Sequence, residues 1–269
     1  MDIQRVNLTG IPETMLWTLH NRASEAMRPD AWFHDQQAVQ LYQHIDYDFL
    51  RSFGAPDSSH AMRSLIFDAV VKQWLIANPG GTVVELACGL ETQFQRCDDG
   101  KVQWLCVDIE EAITTRERFI QPSERCRHLG KSALDLRWMD EVDTSHGVFV
   151  TAQGLFMYLD ETEVKHLLIA IFNQFSGVEL MFDVIPRWFS QKTMRANGWY
   201  KTKSYRMPTM PWGVNNSEVD ALLRTWSPKI KEVRHLPYYR IRGLMLSMLL
   251  QLSRLPPFKN IFPNILHVK

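Results

Sequence analysis

The sequence predicts an α/β fold built on a mostly parallel sheet, and three observations carry that prediction. Short β-branched and apolar runs recur through the middle of the chain, amphipathic helical stretches separate them, and several runs end at a turn residue or an acid. Residues 82–87 (TVVELA) open the series and end in a Cys-Gly turn. Residues 102–107 (VQWLCV) form the second run and stop at Asp108. Residues 125–129 read as a short third strand ahead of 131–138. Residues 147–152 (GVFVTA) are the fourth, followed by QGLFMYL and a helical run over 161–175. Residues 178–184 (VELMFDV) are the fifth, closed by Pro186. Residues 230–236 and 265–269 complete a set of seven strands. A helix from about Arg240 to Arg254 lies between the last two and is expected to pack on the sheet as a core helix; the apolar run 241–252 with Arg240, Arg242 and Arg254 at its ends also fits an interfacial helix on a membrane or polyanion surface.

Two regions stand outside the alternation. Residues 1–60 are mainly helical, with turn signals at Arg28-Pro29-Asp30 and Gly54-Ala55-Pro56-Asp57. Residues 186–216 hold no acid, carry Trp188, Trp199, Tyr200, Tyr205 and Trp212, and are broken by Pro208, Pro211 and Gly213. A long insertion after a strand of such a sheet is placed to cover the carboxyl ends of the strands. A surface loop packing its aromatics on the sheet has the same composition. The expected organisation is a single domain over 1–269: a helical cap (1–60), a sheet core (61–185), a lid insertion (186–228) and C-terminal strands with a helix (229–269).

The chain has 269 residues with 30 Lys/Arg and 30 Asp/Glu, a formal net charge of zero. That sum hides a split. Residues 1–183 carry 15 basic against 27 acidic side chains, whereas residues 184–269 carry 15 basic against only Glu218, Asp220 and Glu232. The asymmetry points to an anionic partner for the C-terminal part, but the neutral total argues against a generic nucleic-acid binder. Nine Trp and 11% aromatics argue against disorder. The four cysteines, Cys88, Cys97, Cys106 and Cys126, form no CxxC pair, and no metal site is expected. The first 20 residues carry charges, and no cleavage-like site follows an apolar run. The longest apolar stretch, 243–250, is far shorter than the roughly 20 residues that span a bilayer. A cytoplasmic protein is the expectation; nothing in the sequence bears on oligomeric state.

The informative segment is VVELACGLETQFQR, residues 83–96. A strand enters a turn at Gly89, and nineteen residues later Asp108 ends the second strand. In doubly wound sheets an acid there accepts hydrogen bonds from ribose hydroxyls. The three glycines of a dinucleotide fingerprint are missing, Glu91 would set negative charge where phosphates sit, and no GxxxxGK[ST] is present. An adenosine cofactor without phosphates fits better, and S-adenosyl-L-methionine (SAM) is the obvious one. A turn glycine and a strand-end acid with purely structural roles would show the same spacing.

The run PETMLWTLHNRASEAMRPDAWFHDQQA, followed by VVELACGLETQFQR, VQWLCVDI, WMDEV and QGLFMYL, resembles the leucine carboxyl methyltransferase family, most closely its bacterial, polyketide O-methyltransferase-like branch. The resemblance implies a Rossmann-like class I SAM-dependent methyltransferase fold with an N-terminal helical extension and a lid after the fifth strand. It implies that Arg22 and Arg63 hold the methionine carboxylate, that Gly89 lets backbone approach the cofactor and that Asp108 binds the ribose. It further implies that Asp135 and Leu136 flank the adenine and that Gln153 lies by the cofactor. The same residue types serve as surface ion pairs and turn caps elsewhere. The family's GLDTR reads Gly89-Leu90-Glu91-Thr92-Gln93 here, and Gln153 replaces a glutamate. Gln153 accepts one hydrogen bond without charge assistance, so weaker SAM binding, or a compensating Glu91 or Glu85, is expected. A relative with lost or altered methyl transfer is the alternative.

Methyl transfer from a sulfonium requires alignment and exclusion of water. A carboxylate acceptor needs no base but does need a cation, and the insertion offers Arg187, Lys192, Arg195, Lys201, Lys203 and Arg206. Arg187 and Arg195, with Trp199 and Tyr205, are the candidate acceptor contacts, and Tyr158 is the candidate catalytic hydroxyl. A phenol acceptor would need a base, and no spacing places His128, His146, His166 or His235 at the pocket. The expected reaction is O-methylation of a small anionic molecule.

Overall fold

In the computed structural model, which describes residues 3–269, seven strands form one sheet. In chain order they are β1 (Thr82–Leu86), β2 (Gln103–Asp108), β3 (Cys126–Gly130), β4 (Val148–Ala152), β5 (Glu179–Val184), β6 (Val233–Leu236) and β7 (Asn264–Val268). Across the sheet the order is β3-β2-β1-β4-β5-β7-β6. β7 runs antiparallel to both its neighbours, and the other pairings are parallel. Each predicted run is a strand. The largest shift is at β6, where Ile230 closes a turn onto Ser227 instead of pairing. The order reverses between β1 and β4, and a crevice at such a switch point is where doubly wound sheets bind ligands.

Both faces of the sheet are covered, which is why its strands read as continuous apolar runs. On β1, Val83 faces Phe67, Val71 and Trp74 of α4 (Ser59–Ala77). Val84 and Leu86 point the other way, into a core with Val150, Phe182 and Leu168 and Ile171 of α7 (Glu161–Gln174). The helical cap consists of α1 (Thr14–Ala26), α2 (Gln36–His44) and α3 (Phe49–Phe53). α5 (Gln93–Cys97) and α6 (Glu110–Glu117) follow β1 and β2. After β5 the chain passes through α8 (Arg187–Thr193) and an extended strap to α9 (Val219–Trp226). The strap is pinned to the cap: Thr202 Oγ1 donates to Ser52 O at 2.8 Å, and Tyr205 stands edge-on to Phe53 at 4.9 Å.

The last helix corrects an expectation. α10 spans Leu244–Leu252, shorter than predicted, and of its side chains only Leu250 is buried. Gly243 adopts φ +93° ahead of it. Arg242 is drawn back to the cap, where Nε meets Glu25 Oε2 at 2.6 Å and Nη1 meets Asp30 Oδ2 at 2.8 Å. Those contacts hold the start of the segment away from helical geometry and leave most of α10 on the surface. Among the described residues, no helix is long and apolar enough to cross a membrane.

α7 begins with a reciprocal cap, in which Asp160 accepts from the Glu163 N–H and Glu163 accepts from the Asp160 N–H. Replacing Asp160 by Ala is expected to lower the unfolding free energy by about 1 kcal/mol, read from the urea midpoint at unchanged slope.

Candidate functional site

A cavity of about 690 Å³ opens at the carboxyl ends of β1, β2, β4 and β5. The turn after β1 forms one wall. Gly89 sits at φ +44°, and a Cβ there would lie 3.0 Å from Met15 Cβ on α1. Backbone twist and the close approach of the cap therefore both call for glycine. The Gly89 N–H donates to Asp108 Oδ2 at 2.8 Å, so the two residues read from their spacing touch directly.

Asp108 lies on the wall at the end of β2. Burial pushes its carboxyl up to about 6, against the pull of the Gly89 and Ile109 N–H groups. Beyond it, Ser132, Ala133 and Leu134 line the cavity. Asp135 and Leu136 do not. Asp135 caps the 3₁₀ turn Leu136–Glu141 and pairs with Arg137, and Leu136 is exposed. The loop reaches the cavity one to three residues earlier than the resemblance implied, because the Asp135 side chain is consumed by its own turn.

Arg22 lies behind the wall, fully buried. It donates to Asp35 Oδ2 (3.0 Å), Glu91 Oε1 (3.0 Å), Thr92 Oγ1 (2.9 Å) and Leu90 O (2.8 Å). Arg96 completes the cluster, contacting Asp35 (2.6 Å), Asp68 (2.6 Å) and Glu91 (2.9 Å). Burial alone would raise the Glu91 carboxyl, but Arg22 and Arg96 hold it at about 2. Arg22 thus braces the loop from beneath instead of facing the cavity, and Glu91 is committed to these arginines. Glu85 is unsuited to replace a missing anion, since burial pushes its carboxyl well above the usual range.

Arg63 does reach the cavity. Its Nη1 donates to Asp183 Oδ2 at 2.9 Å, and Asp183 Oδ1 accepts the Gly154 N–H at 2.6 Å. Gly154, at φ +70°, leaves room for this guanidinium, because a Cβ there would stand 3.0 Å from Nη1. Gln153 is also on the wall, and its Nε2 donates to Gln93 Oε1 at 3.3 Å. Two of the three departures from the family pattern therefore meet. Where GLDTR and a strand-end glutamate would set guanidinium against carboxylate, this chain sets amide against amide, and no charge is left uncompensated. Gln153 Oε1 has no partner among the described residues and remains available as an acceptor. Tyr158 lines the same wall, and burial pushes its phenol up to about 12, so it stays protonated.

The far end of the cavity is apolar and aromatic, with Trp17, Leu155, Phe189, Trp199, Met207 and Met210. Lys201 supplies the lid cation there; its Nζ lies 4.8 Å from the Trp17 ring centroid and 3.8 Å from Asp57 Oδ2. Of the predicted acceptor contacts, Trp199 is on the wall and Arg187, Arg195 and Tyr205 are not. Arg187 pairs with Glu218 at the base of the insertion, Arg195 is exposed, and Tyr205 is buried against the cap.

His60 is the site residue the sequence reading missed. It stands three residues before Arg63 in the first turns of α4, a spacing that puts both on one helix face and would have revealed it. Asn21 Oδ1 accepts the Asp57 N–H at 3.2 Å, which turns the Asn21 amide nitrogen toward His60 Nδ1 at 2.8 Å. Nδ1 is then the acceptor and Nε2 carries the proton. Burial, with Arg63 adding, pushes the imidazole down to about 3, so this neutral tautomer persists at working pH.

Sequence spacing also hid a thiol cluster on neighbouring strands. Donor atoms of Cys106, Cys126 and His128 lie within 4.8 Å of one another. Both ring nitrogens of His128 are already engaged, since Arg116 Nε donates to Nε2 at 3.1 Å and Nδ1 lies 3.3 Å from Glu117 Oε1.

Two outcomes are expected. Glu91 is depressed in the folded chain, so its stabilisation is complete above the unfolded value near 4.5 and is lost as pH falls from there toward 2. Thermal melts across that window should show the loss, and Glu91→Gln should flatten it while lowering stability at pH 7. Separately, Gln93→Arg and Gln153→Glu should each lower the melting temperature of the cofactor-free protein, because each buries an unpaired charge. The double variant should recover most of the loss, a coupling measurable by a double-mutant cycle.

A model of the leucine carboxyl methyltransferase family matches residues 16–172. The chain is 30% identical over 216 residues to the tetracenomycin polyketide synthesis O-methyltransferase TcmP of Streptomyces glaucescens, covering 79% of this chain and 78% of that protein. It is 33% identical over 208 residues to the S-adenosyl-L-methionine-dependent methyltransferase dpfgK of Gibberella zeae, covering 68% and 69%. In fold it resembles the CurJ carbon methyltransferase, with a TM-score of 0.52 at 13% identity over 96% of this chain and 67% of that one. The cavity fits an adenosine cofactor, with a strand-end carboxylate at Asp108, the 132–134 loop and an unpartnered acceptor on Gln153. The chain belongs to the leucine carboxyl methyltransferase family and is a class I methyltransferase whose cofactor is S-adenosyl-L-methionine.

Proposed function

We propose that the enzyme methylates a carboxylate on a small, ring-rich, largely apolar acceptor. The observation that carries this reading is His60. It is held as an N–H donor beside the Lys201 ammonium at the aromatic end of the cavity. A donor and a cation suit an acceptor that arrives as an anion. The nearby carboxylates are already engaged, Asp183 by Arg63 and Asp57 by the Ser59 N–H at 2.9 Å. Tyr158 stays protonated. The relative from Streptomyces glaucescens is named for polyketide synthesis, which supports a polyketide-like acceptor.

On this reading Asp108 would accept from the ribose, the 132–134 loop would flank the adenine, Gln153 Oε1 would accept from the ammonium and Arg63 would face the carboxylate. SAM, when bound, supplies an electrophilic methyl group on its sulfonium. The chain's own contribution is alignment. Trp17 and Trp199 line the space for the rings, Lys201 and His60 orient the carboxylate oxygens, and the strap over the cap excludes water.

Incubation with isotopically labelled SAM and paired aromatic acids, their amides and the matching phenols tests this by mass spectrometry. The expected product is a methyl ester that mild alkali cleaves; label found only in alkali-stable phenol ethers would overturn the reading. The turnover rate should be flat between pH 7 and 9, where a phenol acceptor would show a rise toward its pKa near 10. Lys201→Ala should raise KM by roughly 10- to 100-fold, the loss expected for a charge-assisted bond, with kcat little changed.

A further inference from the structure

α10 carries two apolar faces, and the fold uses only one. Leu246 and Leu250 pack inward, and Leu246 also lines the cavity. Leu244, Met248, Leu252 and Leu255, spaced at i, i+4, i+8 and i+11, all lie on the outside with Met245 beside them. Leu244 is 82% exposed, Met245 71% and Met248 57%. Phe258 extends the patch. A helix apolar on all sides is ordinarily buried, and a contiguous exposed patch of this kind marks a surface that meets something.

Charge indicates what it meets. Residues 233–269 contain no acid. Arg254 and Lys259 follow the helix and form no ion pair among the described residues, and Arg240 precedes it, stacked over Trp32 at 5.4 Å. Apolar side chains flanked by uncompensated cations match the interface of an anionic bilayer, with the apolar face entering the acyl boundary and the cations at the headgroups. The helix is only nine residues long and no described helix can span a membrane, so it would lie in the surface plane. We infer that α10 and its flanking turns form a docking surface for anionic lipid bilayers. The same segment contributes Ile241, Leu246 and Phe262 to the cavity wall, so docking sets that wall of the cavity beside the acyl layer, a route by which an apolar acceptor enters from the membrane.

Sedimentation of the full chain with phosphatidylcholine vesicles, with and without 30 mol% phosphatidylglycerol (about a third anionic lipid, chosen to give a strongly negative surface), tests the inference. Binding is expected to anionic vesicles only, to weaken in high salt, and to fall about tenfold or more in both Leu244→Glu/Met248→Glu and Arg254→Glu/Lys259→Glu. Both variants alter exposed side chains away from the cavity, and unchanged SAM calorimetry and circular dichroism confirm that they fold. Absence of binding at either composition, or equal binding to neutral and anionic vesicles, would overturn it. So would a dimer in analytical ultracentrifugation that Leu244→Glu/Met248→Glu dissociates, since the face would then belong to a second copy.

Discussion

Beneath the loop that follows β1, two arginines and three carboxylates are buried together, and the site depends on their mutual pairing. Arg22 comes from α1, Asp35 caps α2, Asp68 lies on α4, and Glu91 and Arg96 belong to the loop and α5. Desolvating any one of these charges alone would cost several kcal/mol. Collected in one cluster they offset one another, but only when all four segments are docked. The helical cap is therefore tied to the cofactor loop by charge, and because the cap supplies Met15 and Trp17 to the cavity, the wall forms only when the cluster does.

The neutral total of the sequence resolves into local arrangements. Acidic residues gather at the strand ends and in the cluster, where Asp108, Asp183 and Glu91 all reach the cavity wall. Three cations of the basic C-terminal part show how differently its charges are used. Arg242 fastens the chain to Glu25 and Asp30, Arg187 closes the base of the insertion on Glu218, and Lys201 enters the cavity. Summed charge raised the expectation of an anionic partner for this part of the chain. It did not distinguish cations that tie the fold together from the one that lines the cavity, because that depends on which acids lie within reach in space.

The same division runs through the whole molecule. Sequence alone determined the seven strands, their turns, the Gly89–Asp108 spacing and the position of the insertion. Each of these rests on local periodicity, on backbone conformations that few residues tolerate, or on a short fixed spacing within a strand–turn–helix unit. Only the tertiary structure decided that Arg22 braces a loop while Arg63 faces a cavity, although both are arginines on cap-side helices. Only it brought Gln93 against Gln153, sixty residues apart, turning two apparent losses of charge into one balanced exchange. It also set the tautomer of His60 through an amide oriented by a third residue, and it left α10 on the surface because Arg242 was claimed by acids more than 200 residues away. These outcomes depend on which groups compete for the same buried partners, and that competition exists only once the chain has folded.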